Sequence, residues 1–326
     1  MNWTEETILV LAEASDAPQI HLLKERLVGA RIVTGNSASE FAAAAKSATV
    51  LCNCSGTLAL FREVFGMCPK LQWVHSRSAG LEQTLFPELA ASSVILTNGS
   101  GVFSAALGEF AIGAILYFSR DFRRLIRNQA ATVWEQFDVE RVEGKTVGIV
   151  GYGDIGRAIA SRANALGMRV LGLKRHAPVN GKSDEFAERI FPAAQRLEMI
   201  AESDYVALAA PLTPETRGII GKAEIAAMKP AAVLINVGRG PLIDESELVR
   251  ALEEKRIRGA ALDVFDQEPL PAGHAFYELE NVLLSPHCAD HTPDWLDNAM
   301  FFFVEEFERY ARGETLRNVV DKTLGY

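Results

Sequence analysis

An apolar run, Thr146-Val147-Gly148-Ile149-Val150, passes directly into Gly151-Tyr152-Gly153-Asp154-Ile155-Gly156 and then into the helical pattern Arg157-Ala158-Ile159-Ala160. A strand that ends in a glycine turn and restarts at once as a helix leaves few folds open, because it builds the first βα unit of a doubly wound sheet. The first glycine makes the tight turn, the second lets backbone approach a pyrophosphate, and the third lets helix and strand pack closely. The helix N-terminus adds N–H donors and the positive end of its dipole. Gly151, Gly153, Asp154, Ile155, Gly156 and Arg157 are therefore predicted to cradle the phosphates of a dinucleotide.

A carboxylate about 20 residues further on, at the end of the second strand, would hold the ribose 2′-OH of NAD. Here the strand Met168-Arg169-Val170-Leu171-Gly172-Leu173 ends in Lys174-Arg175-His176, with no acid. Lys174 and Arg175 can form charge-assisted bonds to a 2′-phosphate, so NADP(H) is favoured, with NAD as the alternative if the pair is only a solvated loop charge.

At 326 residues the chain is long enough for two domains, and its net charge of −9, with basic residues scattered, argues against a nucleic-acid surface. The start Met1-Asn2-Trp3-Thr4-Glu5-Glu6 lacks the basic and apolar regions of a signal peptide. The longest strongly apolar stretch, Phe110 to Phe118, falls short of the roughly 18 residues that span a bilayer. A cytoplasmic protein with no membrane partner is expected. Cys52, Cys54, Cys68 and Cys288 show no zinc-type spacing and read as buried thiols; for Cys288, beside His287, a small apolar filler is favoured and a reactive thiol is the alternative. No His, Cys and carboxylate cluster has ligand spacing, so no metal is expected.

Strands and helices alternate along the whole chain, the mark of parallel sheets. Strand-like runs at Thr7–Leu11, Arg31–Val33, Val50–Cys52, Leu71–His75 and Val94–Leu96, with helical stretches near Ile20–Leu27 and Ser39–Lys46, make one small α/β domain without a glycine fingerprint. The apolar helix Ser104 to Phe118 leads out of it. Later strands are Tyr205–Leu208, Val233–Val237, Gly259–Val264 and Val282–Ser285. A last helix, Asp294 to Arg312, is expected to cross back to the first domain, and Pro178 to Ser183 reads as a loose loop. The expected fold is α/β with two doubly wound parallel-sheet domains. Residues 1–103, completed by 293–326, form a smaller substrate domain, residues 104–292 form a Rossmann domain, and a cleft lies between them.

Three polar residues stand just beyond strands of the second half: Arg239 in Asn236-Val237-Gly238-Arg239-Gly240, Glu268 before Pro269, and His287 in Ser285-Pro286-His287-Cys288. A guanidinium suits a planar carboxylate bidentately, and a histidine hydrogen-bonded to a glutamate makes an oriented general acid. Singly, each has a bland alternative as surface charge, turn residue or core histidine.

Together with the glycine turn, their order and spacing resemble the D-isomer-specific 2-hydroxyacid dehydrogenase family. The resemblance covers almost the whole chain and is very close in Gly144 to Gly156 and in Pro211-Leu212-Thr213-Pro214-Glu215-Thr216-Arg217-Gly218. It implies a flavodoxin-like substrate domain and a reductase of a small 2-keto acid such as glyoxylate or hydroxypyruvate. By the same resemblance Arg239 grips the substrate's carboxylate and carbonyl, His287 exchanges the proton at the 2-oxygen, and Glu268 orients and charges His287. Ser78, Ala79 and Gly80 are similar to the family's substrate loop, and Asp263 resembles the residue that receives the nicotinamide carboxamide. Ser104, Pro211, Thr216, Val237 and Gly238 fall where the family contacts the cofactor. Lys174 stands where an acid is usual, and Cys288-Ala289-Asp290-His291 replaces the more usual run after the histidine. Arg77, beside the substrate loop, either binds a second acidic or polar group or is solvated. A homodimer through the dinucleotide domain is expected, with Phe110 to Phe118 as its apolar contribution. A nucleotide-sensing corepressor relative and a short phosphoglycerate dehydrogenase are the alternatives; the chain's end at Tyr326 without a tail speaks against the former.

Overall fold

Wholly buried runs such as Thr7–Leu11 and Thr146–Val150 are what a parallel strand covered on both faces requires, and they seed two separate sheets. The computed structural model describes residues 6–14, 17–177 and 184–326, so the loop expected at Pro178 to Ser183 lies outside the described residues. Chain contacts divide the protein into two units, Met1–Phe103 with Thr292–Tyr326, and Ser104–His291.

The first unit contains β1 (Thr7–Leu11), α1 (Pro18–Arg26), β2 (Arg31–Gly35), α2 (Ala38–Ala45), β3 (Val50–Asn53), α3 (Leu58–Gly66), β4 (Trp73–Ser76), α4 (Pro87–Ala91) and β5 (Ile95–Asn98). Its five strands are parallel in the order β2-β1-β3-β4-β5, the flavodoxin-like order that the resemblance implies. Register is set by the apolar side chains: Leu9 stands beside Val33 on one side and Leu51 on the other. Helix α3 has no counterpart in the sequence reading; Thr57 caps it by accepting the Leu60 N–H at 3.3 Å, and Phe61 and Val64 bury its inner face.

The second unit contains α5 (Ser104–Ser119), α6 (Phe122–Ala130), β6 (Thr146–Val150), α7 (Asp154–Ala165), β7 (Arg169–Lys174), β8 (Arg189–Pro192), α8 (Arg196–Glu202), β9 (Tyr205–Leu208), α9 (Lys222–Ala227), β10 (Val233–Asn236), α10 (Glu245–Glu253), β11 (Gly259–Leu262) and β12 (Val282–Leu284). The seven parallel strands run β8-β7-β6-β9-β10-β11-β12, so chain order reverses between β6 and β9, the place where such sheets take a ligand. Helix α5 turns Leu107, Gly108, Ala111, Ala114, Ile115 and Phe118 inward. A methyl group at Gly108 would stand 3.1 Å from the Ala158 backbone, so glycine lets α5 and α7 approach closely.

Helix α11 (Trp295–Ala311) belongs to the first unit, where Phe303 stacks on Trp73 with ring centroids 5.3 Å apart. Among the described residues no helix is long and apolar enough to cross a membrane.

Candidate active site

Strand β6 delivers the chain to Gly151, whose φ of +94° and position against Ala209 and Ala210 both exclude a side chain. Gly156 lies so close to the Gly151 carbonyl that a methyl group there would collide with it, which brings α7 onto the strand. Between them, Gly153 is exposed, and a methyl group there would meet nothing within 4 Å. The three glycines thus have the separate geometric reasons expected of them: turn, open approach and packing. Helix α7 starts at this open side, and the N–H groups of Asp154, Ile155 and Gly156 have no carbonyl of their own helix to bond. Ser104, at the start of α5, has a buried hydroxyl with no hydrogen-bond partner among the described residues. An open glycine face, a helix N-terminus and an unsatisfied hydroxyl in one unit fit a dinucleotide phosphate group and its sugar.

At the end of β7, Lys174 is exposed with its Nζ 5.7 Å from the centroid of the Tyr152 ring. Arg175 donates from Nη2 to Glu215 Oε2 at 3.1 Å, so a ligand phosphate at Arg175 has to compete with a carboxylate. The Thr213 hydroxyl, and with it Arg175, holds that carboxyl below the usual range and keeps Glu215 ionised. Arg157 pairs with Asp184 and, at 2.8 Å, with Glu185. The Pro211 to Gly218 loop braces itself: Thr216 Oγ1 donates to the Pro211 carbonyl at 2.7 Å and accepts the Thr213 N–H at 2.7 Å.

The three strand-end residues come from adjacent strands. After β10, Val237 N–H bonds the Leu208 carbonyl at 3.1 Å, while Asn236 shapes the turn: its Oδ1 accepts Gly238 N–H at 3.0 Å and its Nδ2 donates to the Arg239 carbonyl at 3.0 Å. Arg239 is half-buried, with Nη1 donating to the Gly238 carbonyl at 2.7 Å. Gly240 lies flat against the Phe265 carbonyl, where any side chain would collide, and this seats the Arg239 turn on the loop that follows β11.

In that loop Glu268 accepts the Phe265 N–H on Oε1 at 2.9 Å and meets His287 Nδ1 with Oε2 at 2.6 Å. Asp263, 1% exposed, places Oδ1 under the segment after β12, where it accepts from Ser285 Oγ at 2.5 Å and from the N–H groups of Cys288 and Ala289 at 3.0 Å each. Its backbone carbonyl takes the His287 N–H at 2.9 Å, and His287 has a φ of +52°. A cavity of about 640 Å³ opens beside this pair, lined among others by Pro269, Leu270, Tyr277 and Pro286. One expectation fails: Cys288 is exposed, not a buried filler, because the chain turns outward at His287, and its Sγ lies 3.5 Å from Ser285 Oγ. Asn236 and Ser285 escaped the sequence reading; their only signal is a polar residue at the end of a buried strand.

In the first unit, Ser78, Ala79 and Gly80 form a loop held by Asn98 Nδ2 on the Ala79 carbonyl at 2.7 Å and by Gly99 N–H on the Ser78 carbonyl at 3.2 Å.

A Rossmann sheet with an open glycine turn after β6, and a carboxylate-oriented histidine beyond β12 of the same sheet, define a dinucleotide-dependent oxidoreductase. Residues 112–289 match the family described as D-isomer specific 2-hydroxyacid dehydrogenase, NAD binding domain, and the chain belongs to the D-isomer specific 2-hydroxyacid dehydrogenase family. It is 34% identical over 269 residues to a glyoxylate reductase of Korarchaeum cryptofilum, covering 80% of each chain. To a D-3-phosphoglycerate dehydrogenase of Methanocaldococcus jannaschii it is 32% identical over 292 residues, which is 89% of this chain; it spans only 55% of that protein's length. The crystal structure of a D-isomer specific 2-hydroxyacid dehydrogenase from Xanthobacter autotrophicus Py2, in complex with NADPH and MES, superposes with a TM-score of 0.83 at 28% identity, over 98% of this chain and 99% of that one.

Proposed function

We propose that this dehydrogenase reduces a small 2-keto acid, of the glyoxylate or hydroxypyruvate kind, to the D-2-hydroxy acid, with NADPH as the preferred reductant. The observation that carries the reading is the 2.6 Å contact between His287 Nδ1 and Glu268, itself anchored by the Phe265 N–H. With Nδ1 engaged, Nε2 is the nitrogen that holds the exchangeable proton and passes it to the substrate's 2-oxygen. The dinucleotide, when bound, supplies the hydride. Arg239 takes the substrate carboxylate and carbonyl and opposes the negative charge that grows on oxygen, which is where binding accelerates the reaction. Ser78, Ala79 and Gly80 bind the substrate carboxylate through backbone N–H groups.

The dinucleotide set is Ser104, Gly151, Gly153, Asp154, Ile155, Gly156, Arg157, Lys174, Arg175, Pro211, Thr216, Val237 and Gly238. Asp263 we assign first to holding the His287 segment, since three protein donors share its Oδ1. The first unit serves as substrate domain and the second as dinucleotide domain. Dimerisation through the second unit is supported by Phe122, Leu125, Ile126, Val133 and Val139, all exposed, and by Trp134 at 96% exposure. These follow the Phe110 to Phe118 segment, whose apolar side chains largely face inward. Sedimentation as a monomer at micromolar concentration contradicts the dimer. Four free thiols suit the reducing cytoplasm.

A panel of glyoxylate, hydroxypyruvate, pyruvate, phenylpyruvate and 3-phosphohydroxypyruvate, assayed with NADPH and NADH in parallel, tests the reading. Turnover of the smaller acids, faster with NADPH, is expected. A preference for NADH of tenfold or more contradicts the cofactor assignment, and no turnover with any acid contradicts the reaction.

A further inference from the structure

Arg77 stands one residue beyond β4 and one ahead of the Ser78-Ala79-Gly80 loop, and its backbone has little latitude. Its N–H bonds the Asn53 carbonyl at 3.0 Å, and Gly99 presses so closely on its carbonyl oxygen that any side chain at Gly99 would collide. The side chain is set as well, with the guanidinium carbon 5.3 Å from the centroid of the Trp295 ring. An indole face orients a guanidinium and leaves its charge unneutralised. Nε is buried without a hydrogen-bond partner, and Arg77 forms no ion pair among the described residues. Arg157, Arg169, Arg196, Arg256 and Arg317, by contrast, all hold carboxylates. A planar, pre-oriented fork beside a substrate loop is a receptor for a planar anion.

We propose that Arg77 binds a second carboxylate of the substrate, so that the preferred substrates are short 2-keto dicarboxylic acids. The inference rests on the 2-keto acid reading above and on the loop's role as seat of the first carboxylate. A carboxylate fits better than a phosphate, because the stretch from Ser76 to Phe86 offers one cation, Arg77, and one acid, Glu82, so a phosphate dianion would meet a single opposing charge. Arg77 is a specificity residue and takes no part in hydride or proton transfer.

The test measures kcat and KM with NADPH for oxaloacetate, 2-ketoglutarate, 2-ketobutyrate and glyoxylate, on the wild type and on Arg77→Met and Arg77→Lys, with Tm recorded for each protein. The wild type is expected to have a higher kcat/KM for at least one dicarboxylate than for 2-ketobutyrate. Arg77→Met should lower that ratio by about 10- to 100-fold, the range of one charge-assisted contact, chiefly through KM, and Arg77→Lys should fall between. If Arg77→Met does not fold, the Arg77→Lys ratio decides. A ratio that stays constant, or an equal loss for all four acids, overturns the assignment while the reductase reading stands. Turnover of none of the four by the wild type overturns the assignment, and the reductase reading falls with it only if hydroxypyruvate and pyruvate are not turned over either.

Discussion

Replacing Asp263 by Asn tests whether the proton-transfer histidine is held in place by a single buried oxygen. Oδ1 accepts three donors, at 2.5, 3.0 and 3.0 Å, all from the segment that carries His287, and the carboxylate is 1% exposed. Asn keeps the shape and one acceptor oxygen but removes the charge. A hydrogen bond to a charged acceptor contributes roughly 1.5–3 kcal/mol and a neutral one roughly 0.5–1.5, so each of the three weakens by about 1 kcal/mol. Because bonds sharing one atom are not additive, the expected loss is about 2–3 kcal/mol, read as a fall in Tm of roughly 4–12 °C for a unit of this size. The His287 segment then loosens. Since a misplacement of about 1 Å costs on the order of a hundredfold, kcat should fall at least about tenfold. The KM for the nicotinamide cofactor should change little. The assay is thermal unfolding together with steady-state reduction of a 2-keto acid. Unchanged Tm and kcat with a large rise in cofactor KM would instead return Asp263 to the carboxamide role that the family resemblance implies.

Arg239→Lys keeps the charge but loses the planar fork, so kcat/KM for the keto acid should fall by about tenfold to a hundredfold with dinucleotide affinity retained; equal losses in both would place Arg239 in the cofactor site or the fold. Arg175→Ala should raise KM for NADPH by up to about tenfold and leave KM for NADH nearly alone, whereas Glu215→Gln, which frees Arg175 from its 3.1 Å carboxylate partner, should lower KM for NADPH. No change in NADPH kinetics in either variant would exclude Arg175 from the 2′-phosphate. Burial pushes the His75 imidazole down to about 3, while the unfolded chain takes its proton near 6.5. Below pH 6.5 the unfolded state therefore binds the extra proton, and stability present above that pH drains by about 1.4 kcal/mol per unit, or about 2 kcal/mol by pH 5. Denaturant unfolding at pH 7 and pH 5 should show this loss and a smaller one in His75→Asn; identical losses would contradict it.

The glycine turn was legible because each glycine answers a local demand of the backbone, and local demands are written in neighbouring residues. Arg239, Glu268 and His287 were legible as residues beyond buried strands, since parallel sheets gather ligand-facing groups at strand ends. Their support was hidden. Asn236 turning Arg239, Gly240 seated on Phe265 and Asp263 reaching the segment after Ser285 all depend on β10, β11 and β12 being neighbours, which no local pattern states. Strand β8 escaped because Arg189-Ile190-Phe191-Pro192 is too short to show alternation, and α6 because none of its side chains is buried and its apolar residues point outward. Arg175 looked available for a phosphate; only the fold brings Glu215, 40 residues away, against it.

Direct hydride transfer to the 2-carbon of a keto acid, with His287 supplying the proton, is open to an isotope experiment. Hydroxypyruvate is incubated with the protein and NADPH carrying deuterium at both C4 positions, and the glycerate formed is examined by mass spectrometry and chiral chromatography. One deuterium at C2 of every product molecule is expected, with the D configuration throughout and a steep loss of rate in His287→Ala, about 10²- to 10⁴-fold for a positioned acid. Unlabelled or L-configured glycerate, or no product from a folded protein that still binds the dinucleotide, would contradict it.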